Sequence, residues 1–385
     1  MPKTTPLHRI QQINYLRSLS QILTTFQSEG FNHRTVNNSE PLLSTKIELA
    51  IKRLEIAESP QLGPTPRELI WRKNKSRLYR YTSGSGVNSI PLFVMYGLIN
   101  KPTILDLSEQ ESFIAFLIQQ GFTVYLLDWG SFGPEDSCIG ISTLLLHYLP
   151  RAIRAMQTVE GHSSYHLLGY CMGGTLAAIW TAYASRHLER TFEPATLALL
   201  ASPIDFGQSD VIDSWLSSER LNVEAWAHSV GNVPGEWVTW GNMLMRPYEN
   251  IFLPLKQLIL HGEDPDYFGK WLALDSWIHA SVYFPKSAFI EWIRCFYQEN
   301  QLMNGTYRLE QQPIQLNQIT IPLIAVIAEN DRLVTPAQAD PVLTAVSSQT
   351  VERLAAQTGH VSLVISTYAK KQVWPRLVRW LEQHS

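Results

Sequence analysis

The stretch SYHLLGYCMGGTLAAIW (164–180) decides the fold of this 385-residue chain, because it places a sharp turn between an apolar strand and a helix. SYHLLG (164–169) is predicted as a buried strand and TLAAIWTAYASRHL (175–188) as a helix. Between them, GYCMGG (169–174) has the form G-x-nucleophile-x-G of a nucleophile elbow, with Cys171 at the nucleophile position. Its glycines lack the side chains that would collide where the strand turns into the helix.

Cys171 is therefore the candidate nucleophile. The helix that follows it directs a positive N-terminal end at the sulfur, which favours the thiolate form. The backbone N–H of Met172 is free to donate to an oxyanion that develops on a substrate. A second donor is expected from the loop after an earlier strand, and the N–H of Leu98 in YGLIN (96–100) is the candidate. Met172 and Leu98 together form the predicted oxyanion hole.

On both sides of the elbow, short apolar runs alternate with helical stretches. The runs are apolar along their whole length, which is typical of parallel strands covered on both faces. The sequence therefore predicts an α/β fold with a mostly parallel, doubly wound sheet. Besides the elbow strand, the predicted strands lie within PLFVMYG (91–97), TVYLLDWG (123–130), ATLALLASPI (195–204), TIPLIAVIAEND (320–331) and TVERLAAQTGHVSLV (350–364).

Two later strands each lead to a residue that suits a catalytic triad. Asp331 directly follows a predicted strand, and His360 lies in a glycine-bearing loop after the last one. The chain order nucleophile, acid, histidine is that of α/β hydrolases. Asp128 and Asp205 also follow strands and remain alternatives for the acid. Other histidines lack such a loop and are interpreted as surface or core residues: His147, His162, His166, His261 and His279.

Composition excludes several classes of function. The net charge is −3 and only 17% of residues are charged, so nucleic-acid binding has no electrostatic basis. Three cysteines cannot form a disulfide framework, and neither a secretory signal nor an apolar run of about 18 residues occurs. HExxH, CxxC and GxGxxG motifs are also lacking, so no metal and no cofactor are expected. We expect a cytoplasmic protein without a membrane span.

Proline, glycine and tryptophan mark the expected domain boundaries. Residues 1–62 are predicted to form a helical arm, which either packs on the main domain or docks a partner. Residues 63–204 and 316–385 are predicted to form the α/β core, with 205–315 inserted as a largely helical cap. That segment holds seven of the twelve tryptophans, which either pack its own core or close over the site as a lid.

These motifs resemble those of the catalytic subunits of polyhydroxyalkanoate synthases, in particular the short two-component kind known as class III. GYCMGG (169–174) matches the lipase-like box of that family, and AENDRLVTP (328–336) and TGHVSL (358–363) match its acid and histidine segments. Further stretches resemble the family in the same order, over roughly residues 70–380: PLFVMYGLINKPTILDL (91–107), GFTVYLLDWG (121–130), SPIDF (202–206), GNVPGEW (231–237) and FYQENQLMNG (296–305).

Four positions depart from the family pattern. Arg332 replaces a histidine that often follows the acid, and Ser362 replaces a common glycine. Tyr170 and Met172 stand where isoleucine and glutamine are more usual. These changes affect the expected loop geometry more than the triad.

The resemblance implies a polymerase with an α/β-hydrolase fold that transfers 3-hydroxyacyl groups from CoA thioesters, with 3-hydroxybutyryl-CoA as the expected monomer, through an acyl-enzyme on Cys171. It also implies a second synthase subunit, a homodimer or hetero-oligomer, and a location on polymer granules. It further implies that Asp331 activates the 3-hydroxyl of the next monomer, whereas the residues alone also allow Asp331 to orient His360. A cysteine thioesterase of the same fold and a non-catalytic granule scaffold remain alternatives.

Overall fold

The computed structural model describes residues 6–28, 43–84, 90–209 and 215–384. Its chain divides into two compact units, one of Gly63–Val238 with Ala280–Ser385 and one of Met1–Leu62 with Thr239–His279. The predicted arm and cap therefore each contribute to the smaller unit. Residues 1–5 and 29–42 of the arm, and 210–214 of the cap, lie outside the described residues.

The larger unit is built on an eight-stranded sheet. Its strand order is β1-β2-β4-β3-β5-β6-β9-β10, with β1–β2 and β2–β4 antiparallel and all other pairs parallel. The mostly parallel sheet predicted from the apolar runs is thus confirmed. The strands are β1 Glu68–Lys73, β2 Ser76–Tyr81, β3 Leu92–Met95, β4 Val124–Asp128, β5 His166–Tyr170, β6 Thr196–Leu200, β9 Leu323–Ala328 and β10 Val351–Ala356, and β7 Arg308–Leu309 pairs with β8 Gln312–Pro313 in a separate hairpin.

The helices of the larger unit cover the sheet. β3, β5, β6 and β9 are buried at every position, as strands covered on both faces must be. The α-helices are α3 Phe113–Gln119, α4 Leu149–Glu160, α5 Met172–His187, α6 Val223–Val230, α7 Gly235–Met245 (which continues into the smaller unit), α10 Lys286–Glu291, α11 Pro336–Ala339, α12 Val342–Ala345, α13 Ser362–Ile365 and α14 Trp374–Gln383. Wider π-helical turns span Thr143–Tyr148, Trp292–Gln298 and Ala369–Val373.

The antiparallel pair β1–β2 was not anticipated from the sequence. ELIWRK (68–73) and SRLYRY (76–81) mix charged with apolar residues, and β1 is exposed at both ends. A strand at the edge of a sheet has less surface to bury, so it lacks the continuous apolar run that identified the central strands. Pro150 lies in the first turn of α4, directly after a π-helical turn.

The tryptophans of segment 205–315 occupy two kinds of environment. Trp226 lies against Trp237 and Phe289, with ring centroids 6.0 and 5.5 Å apart, and Trp292 is buried. Trp237 and Trp215 are about half exposed. Part of the cluster therefore packs the interior of the larger unit, and the lid function stays a prediction.

The smaller unit is helical. It contains α1 Leu7–Ser28, α2 Leu43–Ile56, α8 Leu253–His261 and α9 Pro265–Ile278, with a π-helical turn at Tyr248–Phe252. As the helical periodicity predicts, Ile47, Ala50 and Leu54 of α2 are buried, in one apolar cluster with residues of α1, α8 and α9. None of the helices in the described part of the chain is both long enough and apolar enough to cross a bilayer.

Candidate active site

Cys171 lies on a strained turn between β5 and α5. Its backbone has φ 55° and ψ −130°, a combination that few residues other than glycine adopt. The Cys171 N–H donates to the carbonyl of Leu200 on the neighbouring strand at 2.9 Å, and its own carbonyl accepts from the N–H of Gly174 at 2.9 Å. These bonds fix the sulfur at the carboxyl end of the sheet, at the N-terminus of a 16-residue helix.

The elbow depends on glycines for close packing. A β-carbon on Gly173 would lie 2.2 Å from the carbonyl oxygen of Met95 on β3. One on Gly174 would lie 1.8 Å from the hydroxyl oxygen of Ser202, beyond β6. Both distances are far below van der Waals contact, so the start of α5 packs onto the sheet only because these positions carry no side chain.

The loop after β9 holds Asp331, and the loop after β10 holds His360. Asp331 is 3% exposed, and its Oδ1 accepts hydrogen bonds from the N–H groups of Leu333 at 2.8 Å and Val334 at 2.9 Å. Its Oδ2 lies 2.6 Å from Nδ1 of His360. The backbone thus holds one carboxylate oxygen while the other binds the imidazole, as in hydrolase triads.

The side chain of Cys171 also acts on the pKa of His360. Burial lowers the pKa of His360, but the negative charges of Asp331 and of the Cys171 thiolate, with hydrogen bonds to both, raise that pKa well above its usual range. Since Nδ1 faces Asp331, Nε2 is left for the sulfur. The structure therefore brings together Cys171, His360 and Asp331, the three residues that the sequence assigned to a triad.

The two predicted oxyanion donors are the backbone N–H groups of Met172 and Leu98, and in this structure the Leu98 N–H already has a partner. Met172 begins α5, so its backbone N–H has no carbonyl partner within the helix. The Leu98 N–H donates to the sulfur of the Met172 side chain at 3.4 Å. This methionine would have to move before Leu98 could donate to a substrate, so the oxyanion hole stays a prediction.

Two tyrosines that the sequence did not assign to the site border it. The ring of Tyr170 lies 5.2 Å from the ring of His360, and its hydroxyl donates to the His360 carbonyl at 3.2 Å. Tyr96 packs 6.0 Å from Tyr170. Burial and the charge of Cys171 raise the pKa of both phenols well above the usual range, so both stay protonated beside the thiolate. Tyr170 directly precedes Cys171, and Tyr96 lies in the loop that contains Leu98. These two positions in the sequence could have indicated that both tyrosines border the site.

The alternative acids make contacts of another kind. Asp128 accepts from the N–H of Gly130 at 2.9 Å, within its own turn. Asp205 accepts from the N–H of Gly207 at 3.1 Å and from the side chain of Asn300 at 2.8 Å. Both therefore serve as loop anchors in this structure, whereas Asp331 contacts the histidine.

Comparison with solved structures identifies the fold class. A protein assigned as a lipase from Sulfolobus solfataricus matches with a TM-score of 0.53 and 18% identity, over 82% of this chain and 92% of that chain. A soluble variant of the monoglyceride lipase of Saccharomyces cerevisiae, in complex with a substrate analog, matches with a TM-score of 0.52 and 13% identity, over 86% and 99%. These matches show the α/β-hydrolase fold.

Comparison of sequences gives a narrower result, although no protein-family model matches the chain. The chain is 28% identical to the poly(3-hydroxyalkanoate) polymerase subunit PhaC of Allochromatium vinosum, over 88% of this chain and 95% of the relative. It is 28% identical to that of Haloferax mediterranei, over 87% and 68%. It is 26% identical to that of Synechocystis, over 96% and 98%.

The PhaC relatives indicate an acyl-transferring enzyme, and the chain has the α/β-hydrolase fold. The similarity to PhaC extends over between 87% and 96% of this chain in these three relatives. The chain is similar to poly(3-hydroxyalkanoate) polymerase subunits.

Proposed function

We propose that this chain is the catalytic subunit of a poly(3-hydroxyalkanoate) polymerase that transfers 3-hydroxyacyl groups from CoA thioesters to a growing polyester. The observation that carries the proposal is the cluster of Cys171, His360 and Asp331 at the elbow of a chain similar to PhaC, with His360 hydrogen-bonded to Asp331. A thiolate suits a thioester substrate, because exchange between thiol and thioester is nearly balanced in free energy and the thiolate is a strong nucleophile.

The first half of the reaction forms an acyl-enzyme. His360 takes the proton of the Cys171 thiol, and the thiolate attacks the carbonyl carbon of the 3-hydroxyacyl-CoA. The C–S bond to CoA then breaks, and the imidazolium returns its proton to the departing CoA thiolate. The backbone N–H groups of Met172 and Leu98 are proposed to stabilise the oxyanion, the second of them after the side chain of Met172 has moved.

The second half extends the chain. The 3-hydroxyl of the next monomer attacks the acyl group on the enzyme, its proton passes to a base, and Cys171 is released as a thiolate. The contacts of Asp331 favour an orienting role over direct activation of that hydroxyl. One carboxylate oxygen accepts two backbone N–H bonds and the other lies 2.6 Å from His360, which leaves little capacity for a third partner. We propose that His360 is the base in both halves and that no cofactor is required.

One assay distinguishes this proposal from hydrolysis and from a scaffold role. The full chain is supplied with 3-hydroxybutyryl-CoA, with and without a second synthase subunit, and both the released CoA and the acyl product are measured. We expect CoA release together with insoluble polyester. Free 3-hydroxybutyrate in place of polymer would instead identify a thioesterase, and no CoA release in either condition would identify a scaffold.

The role of the nucleophile has its own test. Cys171→Ala is expected to abolish CoA release, with less than about one part in a thousand remaining. Cys138 is an exposed free cysteine outside the elbow, so Cys138→Ala is a matched control that should keep full activity. A Cys171→Ala chain as active as the control would exclude the acyl-enzyme.

Assembly and location follow as proposals from the same family. We propose a second synthase subunit, a dimeric or hetero-oligomeric state, and a location on cytoplasmic polymer granules. Size-exclusion chromatography with light scattering tests the first two, and recovery of the chain with isolated granules tests the third. We also propose that segment 205–315 closes over the substrate, so a bound substrate analogue should slow proteolysis in this segment. An unchanged cleavage rate would contradict closure.

A further inference from the structure

A second cluster of reactive side chains lies in the smaller unit. His8 stands in the first turn of α1, Asp275 in the last turn of α9, and His279 directly after that helix. One nitrogen of each imidazole and one oxygen of the carboxylate lie within 4.8 Å of one another. Residues so far apart in sequence share no motif, which is why sequence reasoning assigned His279 to the surface or the core.

The contact between His8 and Asp275 is not a satisfied hydrogen bond. Nε2 of His8 lies 3.3 Å from Oδ2 of Asp275, yet neither atom has a hydrogen-bond partner among the described residues. Asp275 is only 7% exposed, so the unpaired carboxylate oxygen is costly. Two ligands of a tetrahedral ion, each about 2.0–2.1 Å from it, are about 3.3 Å apart. The spacing therefore fits two atoms that share a third partner.

His279 presents its imidazole in the form that a metal requires. Its Nδ1 donates to the carbonyl of Asp275 at 2.9 Å, which leaves Nε2 without a proton when the ring is neutral. The rings of His8 and His279 are stacked 4.0 Å apart and nearly parallel, so one ring must turn before the lone pairs of both imidazoles can point at the same ion.

Two further side chains on α1 face the carboxylate. Gln12 donates to Oδ1 of Asp275 at 2.7 Å, which orients the carboxylate and leaves Oδ2 for another partner. Its own Oε1 is buried without a hydrogen bond. Arg9 donates to the carbonyl of Ala57 at 2.7 Å, and its charge interacts with that of Asp275. The guanidinium opposes a second positive charge, so we expect micromolar rather than very tight metal binding.

We propose that His8, Asp275 and His279 bind one divalent transition-metal ion, Zn²⁺ by preference, which joins the start of α1 to the end of α9. Two imidazoles and one carboxylate suit Zn²⁺, whereas Mg²⁺ and Ca²⁺ favour oxygen ligands alone. Water would complete the coordination. The ion is proposed as a structural element of the smaller unit, distinct from the chemistry of Cys171.

Metal binding is measured on the full chain carrying Cys171→Ala, which removes the thiol that could bind Zn²⁺ together with His360. Isothermal titration with Zn²⁺ is expected to give one ion per chain, and Mg²⁺ should give no binding. His8→Gln and His279→Gln should each weaken Zn²⁺ binding by at least about tenfold. The d–d spectrum of bound Co²⁺ should indicate nitrogen and oxygen ligands.

His261→Gln is the matched control, because this exposed histidine ends α8 in the same unit and is not part of the cluster. It should bind Zn²⁺ like the parent. Circular dichroism verifies that each variant is folded, and Zn²⁺ should raise the melting temperature of the parent and the control but not of His8→Gln. Zero stoichiometry, or equal affinity in all variants, would overturn the proposal.

Discussion

Asp331→Asn is the most informative single substitution in the catalytic cluster. Oδ1 of Asp331 accepts two backbone N–H bonds, so in the variant the amide oxygen stays at that position and the NH₂ group faces His360. At 2.6 Å from Nδ1, this donor requires Nδ1 to be unprotonated, which puts the proton of a neutral ring on Nε2. The imidazole then cannot accept the proton of Cys171.

The loss is estimated from the wrong tautomer and the missing charge. The corresponding change in a serine-protease triad lowers the rate about 10⁴-fold, so we expect a loss of about 10³–10⁴-fold in CoA release, or about 4–5.5 kcal/mol of transition-state stabilisation. The charge of Asp331 also helps to raise the pKa of His360. Its removal lowers that pKa, and because His360 must be unprotonated to act as the base, the acid limb of the kcat/KM profile should move to lower pH.

Single-turnover release of CoA from 3-hydroxybutyryl-CoA separates the two possible roles of Asp331. If Asp331 orients His360, the first acylation itself is slow in Asp331→Asn. A normal CoA burst followed by arrested elongation would refute this reasoning and support direct activation of the 3-hydroxyl. Asp205→Asn is the matched control, because Asp205 also follows a strand but contacts Gly207 and Asn300. It should release CoA at nearly the parent rate.

Three further predictions concern packing, positioning and pH. Gly174→Ala forces a methyl group against Ser202 and should lower the free energy of unfolding by about 1–3 kcal/mol, measured by urea denaturation. Tyr170→Phe removes the hydrogen bond to the His360 carbonyl but keeps the ring contact, so kcat/KM should fall by less than about tenfold. Burial lowers the pKa of His166 from 6.5 to about 4. As the pH falls, His166 therefore binds a proton in the unfolded chain before it does so in the folded chain. The free energy of unfolding should decline by about 3 kcal/mol between pH 6.5 and pH 4.

Each of these predictions has a control and a contrary outcome. A β-carbon on Gly241 would meet no atom within 4 Å, so Gly241→Ala is the control and should not destabilise the chain. If Gly174→Ala changed the free energy of unfolding no more than Gly241→Ala does, the packing argument would be refuted. A loss above about a hundredfold in Tyr170→Phe would give the hydroxyl a larger role than positioning. His166→Leu should flatten the acid side of the stability profile, and an unchanged slope would show that other groups cause it.

The elements that the sequence predicted well are those in which a local pattern and the tertiary environment agree. Central strands such as β5 and β9 are buried on both faces, so their composition alone identifies them. The edge strand β1 was missed because exposure on one side permits charged residues there. Its pairing with β2 depends on a neighbour, which no local pattern reports.

The candidate triad likewise combines features that local sequence patterns predict with contacts that they do not. Cys171 was identifiable because a strained turn requires glycines at fixed spacing, and Asp331 and His360 because strand ends and chain order restrict the choice. The sequence left the role of Asp331 open, since that depends on which atoms its two oxygens contact. The contact of Leu98 with Met172 was equally inaccessible, because it joins loops 74 positions apart in the chain.

The amino-acid sequence by itself predicted the parallel sheet, the elbow and the candidate triad residues, because apolar runs and glycine spacing are local consequences of burial and backbone strain. Only the tertiary structure decided which carboxylate contacts His360, that Tyr170 packs between Tyr96 and His360, and that His8 lies beside Asp275 and His279. These are contacts between segments distant in the chain, and their formation depends on how the whole chain packs.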